Sequence, residues 1–210
     1  MDLTRGPGRR RWTARLLLWP AAVAGASCAA PLAIPPAAVV EQARLVPSYS
    51  ARLDVSLRGP DLRAHTRVLL AFRRPDALRI ELPGPTGARL IAVARGERLW
   101  AVFPAERAVY SGAARAEDLG SLLGVALAPS EVMDLLTGVP SARLRSYRAR
   151  WGAALPRHID ATLPDGARLQ ATVEDAEAPA RLGEPAFAEP PHAGYRPVDG
   201  DQARSLWSGR

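Results

Sequence analysis

The chain has 210 residues, 48% of them hydrophobic and 23% charged, which suits one ordinary globular domain and is not typical of a disordered chain. Its formal net charge is +7, but residues 1–27 hold five arginines and one aspartate, a net of +4, which leaves +3 for residues 28–210. The remaining arginines are spread along the chain and form no patch, so the charge does not predict nucleic-acid binding.

The first 27 residues have the pattern of an export signal. A basic stretch ending at Arg15 precedes the apolar run 16–26. Eleven helical residues span about 16 Å, roughly half the hydrocarbon thickness of a bilayer, so the run is too short for a permanent transmembrane helix. We therefore predict a signal peptide over residues 1–27.

The apolar run ends at Gly25-Ala26-Ser27-Cys28, which resembles the lipobox of bacterial lipoproteins. The chain has one cysteine, so no internal disulfide can form, and in lipoproteins such a thiol receives the diacylglyceryl group. Gly25 departs from the leucine usual at its position, and the alternative is simple small-residue cleavage with Cys28 incidental. We predict lipidation of Cys28 and a short tether over 28–36. In the lipoproteins of enteric bacteria an aspartate after the cysteine favours retention at the inner membrane; this chain has Ala29 there, so the resemblance implies attachment to the outer membrane.

After the tether, the sequence has first the pattern of a helix and then that of β-strands. A helix is predicted over 37–46, and complete apolar–polar alternation over 49–58 then predicts a strand, followed by the turn Gly59-Pro60-Asp61. Further strands are predicted at 62–73, 78–82, 88–94, 98–103 and 108–110.

The middle of the chain has helical spacing. Leucines and valine in 117–123 and 130–136 predict two helices, with Ser130 as the N-cap of the second and Gly138 as its stop. Strands are predicted again at 143–151, 155–163 and 167–174, with a hairpin turn at Asp165-Gly166. A proline-rich stretch, 177–194, then precedes a short strand at 195–198 and a helix at 199–207.

These elements predict a mainly β (α+β) fold with one strongly curved antiparallel sheet. Strands that are apolar on one side and arginine-rich on the other fit a sheet with one solvated face. Helices are expected to cover the concave face. We assign residues 37–176 to this curved-sheet domain and 177–210 to a C-terminal extension.

Two stretches resemble a known family. Residues 78–90, which read Leu-Arg-Ile-Glu-Leu-Pro-Gly-Pro-Thr-Gly-Ala-Arg-Leu, and residues 116–140 are similar to the LolB-type outer-membrane lipoprotein receptors and the wider LolA/LolB lipoprotein-sorting superfamily. The resemblance runs over about residues 48–175. It implies an incomplete barrel with a helical lid over a hydrophobic cavity, which accepts the acyl chains of cargo lipoproteins.

The family's receptors carry an exposed leucine in the loop after the third strand, which delivers cargo into the membrane. The corresponding membrane loop here consists of Pro83, Gly84, Pro85 and Thr86 and has no such side chain. We therefore expect poor insertion of cargo by this loop alone.

The apolar strand faces and the two leucine-rich helices supply the candidate cavity, although plain core packing is the alternative for each side chain. The residues expected to line the cavity are Leu53, Val55, Leu70, Phe72, Ile80, Trp100, Leu119, Leu122, Leu135 and Leu136.

The sequence favours binding over catalysis. His65, His158 and His192 are far apart and lack metal-ligand spacing, no serine lies in a Gly-x-Ser-x-Gly setting, and no glycine-rich phosphate loop is present. No catalytic residue, metal or cofactor is therefore expected. The hypothesis is a monomeric, lipid-anchored, periplasm-facing outer-membrane protein that binds the acyl chains of lipoprotein cargo, with a periplasmic carrier as a partner. A non-transporting docking lipoprotein with a filled core is the alternative, and a lipid-modifying enzyme is a third hypothesis.

Overall fold

The computed structural model describes residues 37–60 and 62–208. The predicted signal peptide, Cys28 and the predicted tether lie outside the described residues. The ten strands are β1 (Ser48–Arg58), β2 (Arg63–Arg73), β3 (Ala77–Gly84), β4 (Gly87–Arg95), β5 (Arg98–Phe103), β6 (Ala108–Ala113), β7 (Ser146–Trp151), β8 (Pro156–Thr162), β9 (Arg168–Glu177) and β10 (Arg196–Pro197). The helices are α1 (Ala37–Arg44), α2 (Ala116–Leu123), α3 (Pro129–Leu136) and α4 (Gly200–Ser208), with a short 3₁₀ helix at Glu184–Phe187.

The strands form one sheet in the order β10-β6-β5-β4-β3-β2-β1-β9-β8-β7. Every neighbouring pair is antiparallel except β10 and β6, which are parallel. The curved, open sheet and its helices confirm the predicted fold class. The one difference is the parallel β10, which reaches the sheet edge through the long connection after β9 and so arrives in the same direction as β6.

The concave face of the sheet carries the main core. In β1 the alternation found in the sequence puts Tyr49, Leu53 and Leu57 on this buried face, while Arg52 and Arg58 are exposed on the other. The same period of two holds in β2, β8 and β9, because successive side chains of a strand point to opposite faces. One apolar surface therefore runs across the middle of the sheet.

Helices α2 and α3 cover this surface, as the sequence predicted. The N-terminus of α3 differs from the prediction in one detail: its N-cap is Ala128, Pro129 begins the helix, and Ser130 lies inside the first turn. The Glu131 carboxylate accepts the Ala128 N–H at 2.8 Å, which stabilises the start of the helix without a serine cap. Ser130 as the N-cap was therefore wrong, whereas Gly138 follows the helix with a φ of 83°, as a stop glycine should.

The proline-rich segment between β9 and β10 lies across the outer face of β3 and β4. Glu184 pairs with Arg73 at 2.7 Å and with Arg95 at 3.1 Å, and Arg79 donates to the Ala186 carbonyl at 3.0 Å. The Arg73 guanidinium holds the pKa of the Glu184 carboxyl below its usual value. Phe187 is fully buried beneath this segment, so this part of the sheet is covered on both faces.

The C-terminal residues complete the same core. Strand β10 pairs with β6, α4 packs on α2, and Val198, Ala203 and Trp207 are buried with the concave-face residues. The stretch distinguished by composition as an extension is thus packed into the half-barrel. Among the helices of the described residues, none is long and apolar enough to span a membrane.

Candidate ligand-binding cavity

A cavity of about 100 Å³ lies between the concave face of the sheet and the helices. Strands β1, β2, β3 and β9 form its floor, while α2, α3 and the end of α4 form its roof. The lining residues are Leu53, Val55, Leu57, Ala64, Thr66, Val68, Leu70, Ile80, Leu82, Leu119, Leu123, Val125, Val132, Leu135, Leu136, Leu169, Ala171 and Trp207.

The wall of the cavity offers almost nothing to a polar ligand. Thr66 is the one hydroxyl in the lining, and it donates to the Arg67 carbonyl at 3.2 Å. The indole N–H of Trp207 donates to the Leu122 carbonyl at 2.7 Å. A polar group placed in the cavity would lose its hydrogen bonds to water without replacement, so the site selects apolar ligands.

The mouth of the cavity lies beside the stretch of β2 that is not paired with β3. Val55, Ala64, Thr66 and Ile80 are half-buried there, whereas Leu70 further along β2 is buried. Apart from the Thr66 hydroxyl, the mouth is therefore lined by side chains of the same apolar kind as the interior.

The size of the cavity limits what it holds in this conformation. An apolar cavity of about 150 Å³ accepts a molecule as small as benzene. A space of about 100 Å³ therefore accommodates a short segment of an acyl chain. A longer segment requires α2 or α3 to move away from the sheet.

Helix α3 is fastened to the sheet by polar contacts outside the cavity. Arg74, just after β2, pairs with Asp134 of α3 at 2.8 Å and donates to the Thr137 hydroxyl at 3.3 Å. Tyr147 of β7 donates to the Leu135 carbonyl at 3.1 Å. Burial raises the pKa of the Tyr147 hydroxyl, so it stays a donor at any physiological pH.

Helix α2 has a corresponding tie to β6. The Tyr110 hydroxyl donates to an Asp118 carboxylate oxygen at 2.5 Å. Burial and then the hydrogen bond to Asp118 raise the pKa of Tyr110, which keeps the tie intact at neutral pH. Both roof helices are thus held at specific points while their apolar faces contact the cavity.

Seven of the ten residues expected at the cavity lie in its wall, while their contact with a ligand stays a prediction. They are Leu53, Val55, Leu70, Ile80, Leu119, Leu135 and Leu136.

The structure places the other three elsewhere. Trp100 lies on the outer face of β5, because the register turns its neighbours Leu99 and Ala101 towards the core. Phe72 is on the concave face, but it stacks on Tyr49 with ring centroids 5.3 Å apart, beyond the cavity. Leu122 is fully buried in the core packing of α2.

Several lining residues were missed by the sequence reasoning. The alternation of β1 and β2 includes Leu57, Ala64 and Val68, so a stricter use of the period of two would have found them. Nothing in the local sequence signals Trp207, since it reaches the cavity only because α4 folds back onto α2.

The predicted membrane loop is a tight turn. Pro83 and Gly84 end β3, Pro85 and Thr86 form the two-residue turn, and Gly87 begins β4 with a φ of 132°. Pro83, Pro85 and Thr86 are exposed. Poor insertion of cargo by this loop stays a prediction.

The histidines have ordinary partners. His65 lies 3.5 Å from Asp54, and the His158 ring nitrogen lies 3.0 Å from the Thr172 hydroxyl. Over residues 37–60 and 62–208, no group of three or more His, Cys, Asp or Glu side chains is placed to hold a metal ion.

No family model and no curated protein matches this sequence. Solved structures resemble its fold. An uncharacterized conserved protein from Thermus thermophilus is 11% identical with a TM-score of 0.44, covering 77% of this chain and 95% of that chain. A LolA superfamily protein from Nitrosomonas europaea is 12% identical with a TM-score of 0.43, covering 75% and 99%.

A third solved structure, described as an outer membrane lipoprotein-sorting protein domain from Vibrio parahaemolyticus, is 9% identical with a TM-score of 0.43, covering 71% of this chain and 94% of that chain. Similarity at this level carries no conclusion about function, which has to be inferred from the cavity itself.

Proposed function

We propose that this protein binds the acyl chains of lipoproteins and serves in their transport to, or insertion in, the outer membrane. The observation that carries the proposal is the cavity between sheet and helices, whose wall is apolar apart from one satisfied hydroxyl. The protein itself would be held on the outer membrane by lipid on Cys28 and would face the periplasm as a monomer.

The energetics favour binding without catalysis. Exposing a sixteen-carbon chain to water costs about 10 kcal/mol, at about 0.8 kcal/mol per methylene. A protein that carries such a chain through water has to supply an apolar surface in its place. Transfer from a periplasmic carrier to this protein, and then to the membrane, needs only differences in affinity, and we propose no enzymatic step.

A cavity-filling substitution tests the proposal. Ala171 lines the cavity on β9, and its neighbour Gln170 is exposed on the outer face of the same strand. In protein carrying Cys28→Ser, Ala171→Leu should weaken binding of a hydrophobic fluorescent probe by about tenfold, since the new side chain occupies the site. Gln170→Leu, which adds the same side chain outside the cavity, should leave binding unchanged.

Displacement of the probe by palmitic acid is measured by fluorescence, with melting temperatures recorded for both variants. Folded protein that binds no probe would refute the proposal and favour the docking alternative with a filled core. Equal loss in both variants would place probe binding outside the cavity and would also count against the proposal.

A further inference from the structure

Strand β2 has an open edge along half of its length. It pairs with β1 from Arg63 to Arg73, but with β3 only from Leu69 to Arg73. Among the described residues, therefore, no strand lies on the β3 side of the six residues Arg63–Val68. The two strands separate at this point and leave an opening within the sheet.

The hydrogen bonds at the two ends of β2 show which backbone groups face the opening. The Arg74 N–H donates to the Pro47 carbonyl at 2.8 Å, and the Leu62 carbonyl accepts the Gly59 N–H at 2.7 Å. Even-numbered residues of β2 thus direct their N–H and C=O groups towards β1. Since these directions alternate along an antiparallel strand, the odd-numbered residues direct theirs towards β3.

In the unpaired half of β2 the odd-numbered residues are Arg63, His65 and Arg67, and all three are exposed. The Arg67 carbonyl accepts the Thr66 hydroxyl at 3.2 Å. The three N–H groups face an opening in which the described residues place no strand. They form a ready template for one more strand.

Proline accounts for the separation of the strands. If the pairing of β3 with β2 continued, its next hydrogen-bonding positions would be Pro83 and Pro85. Neither residue has a backbone N–H, so neither can donate to the ladder. The turn that contains Pro83 and Pro85 is therefore what leaves the edge of β2 unpaired.

The open edge borders the cavity. Ala64 and Thr66, which alternate with the three edge residues, line the cavity at its half-buried mouth. An unpaired row of backbone groups and an apolar cavity therefore adjoin within one six-residue segment. A ligand that satisfies both has an acyl chain joined to an extended peptide.

We propose that the Arg63–Val68 edge binds the extended N-terminal segment of an acylated polypeptide by β-strand addition, while its acyl chain enters the cavity. This inference rests on the proposed function and names how the cargo is recognised. Main-chain hydrogen bonds are indifferent to sequence, so one edge serves cargo with varied N-terminal segments. His65 lies 3.5 Å from Asp54 and Arg67 lies 3.5 Å from Glu174, so the positive charge beside the edge comes mainly from Arg63, and it favours neutral or acidic segments over basic ones.

His65→Pro tests the edge with little damage to the fold. Its N–H faces the opening, so the substitution removes one donor and breaks no backbone hydrogen bond to β1, although the side-chain contact with Asp54 is lost. His65→Ala removes the same side chain and keeps the N–H, which makes it the matched control. Both are made in full-length protein carrying Cys28→Ser, and their melting temperatures are compared.

The probes are an N-palmitoylated octapeptide of serine and threonine, the same peptide without the acyl group, and N-palmitoyl glycine amide. Binding is measured by calorimetry. We expect the acylated peptide to bind about tenfold more tightly than the glycine amide. His65→Pro should abolish this difference, and His65→Ala should retain it.

N-methylation of alternate peptide amides gives a second test that does not depend on folding of the variant. In an extended peptide, alternate N–H groups face the edge of β2 and the others face away from it. Methylating the amides that face the edge should remove the tenfold gain in affinity over the glycine amide, and methylating the others should not. The inference would be overturned if the acylated peptide and the glycine amide bound with equal affinity, or if neither methylated peptide lost affinity. Arg63 and Arg67 would then serve only to protect an exposed strand edge from pairing with other chains.

Other outcomes separate this inference from the proposed function. If the glycine amide itself fails to bind, the proposed function fails. If the wild-type protein forms a dimer that His65→Pro dissolves, the edge pairs with a second copy and the inference is overturned.

Discussion

Gly124 shows how a single position fixes the end of the cavity roof. It ends α2 with a φ of 71°, in the left-handed region that glycine tolerates and other residues avoid. Its bare Cα also makes room for the side chains of Leu57 and Leu62, which come from the first hairpin. Backbone conformation and close packing therefore both require glycine here.

Gly124→Ala should destabilise the protein for both reasons. A side chain in the left-handed region costs about 1–2 kcal/mol. The new Cβ would in addition overlap Leu62 and lie 3.0 Å from Leu57 Cδ2, which adds about 1–3 kcal/mol of overpacking. Urea denaturation measures the loss in the free energy of unfolding.

Gly96→Ala is the control for this prediction. Gly96 has a φ of 58°, and the nearest atom to an added Cβ is the Asp76 Oδ2 at 3.7 Å. The Gly96→Ala variant should therefore lose only the backbone contribution to the free energy of unfolding, about 1–2 kcal/mol. Equal destabilisation by the two substitutions would mean that the leucines move aside at no cost.

At the scale of elements, the local pattern predicted most strands well and the segment boundaries less well. The strand predicted at 143–151 begins only at Ser146, since the residues before it belong to the loop: Arg143 binds the Glu131 carboxylate, and the Leu144 N–H donates to the Ser141 carbonyl at 3.1 Å. The short strand predicted at 108–110 extends to Ala113, because pairing with β5 continues that far. In both cases contacts outside the segment itself, and not its own alternation, decide where the element begins or ends.

Helix α3 is the element that we expect to move when a long acyl chain enters. Arg74→Met keeps much of the apolar stem and removes the ion pair to Asp134 and the hydrogen bond to Thr137. The probe should then associate faster, and the amide protons of α3 should exchange faster, because opening of the helix costs less. Stopped-flow fluorescence and hydrogen exchange measure the two rates.

Arg73→Met is the matched control for Arg74→Met. Arg73 is the preceding residue, and its ion pair with Glu184 lies on the outer face of the sheet. The variant should leave the association rate of the probe and the exchange rate of the α3 amide protons unchanged. Unchanged rates in Arg74→Met would show that another element opens the cavity.

At the scale of the whole molecule, attachment to the membrane is expected to come from the lipid on Cys28. Radioactive palmitate should label the wild-type protein and not the Cys28→Ser variant, and only the labelled protein should float with neutral liposomes. A mature wild-type protein without label would show that the lipoprotein interpretation is wrong.

The exposed turn supplies a control for membrane contact. Adding Thr86→Leu to the Cys28→Ser variant should increase flotation, since a buried leucine contributes about 1.5–3 kcal/mol to a membrane contact. Strong flotation of the Cys28→Ser variant by itself would point to a different membrane-binding surface.

The sequence alone determined the curved, mainly antiparallel sheet, the two roof helices and seven of the cavity residues, because periods of 2 and 3.6 report which face of an element is buried. The tertiary structure alone decided that β10 and α4 complete the core, that Trp207 reaches the cavity and that Trp100 does not. It also revealed the open edge of β2, although Pro83 and Pro85 are plain in the sequence. The local pattern determines which side chains of a strand are buried. What packs on that buried face, and which strand pairs with each edge, depends on contacts between residues far apart in the chain.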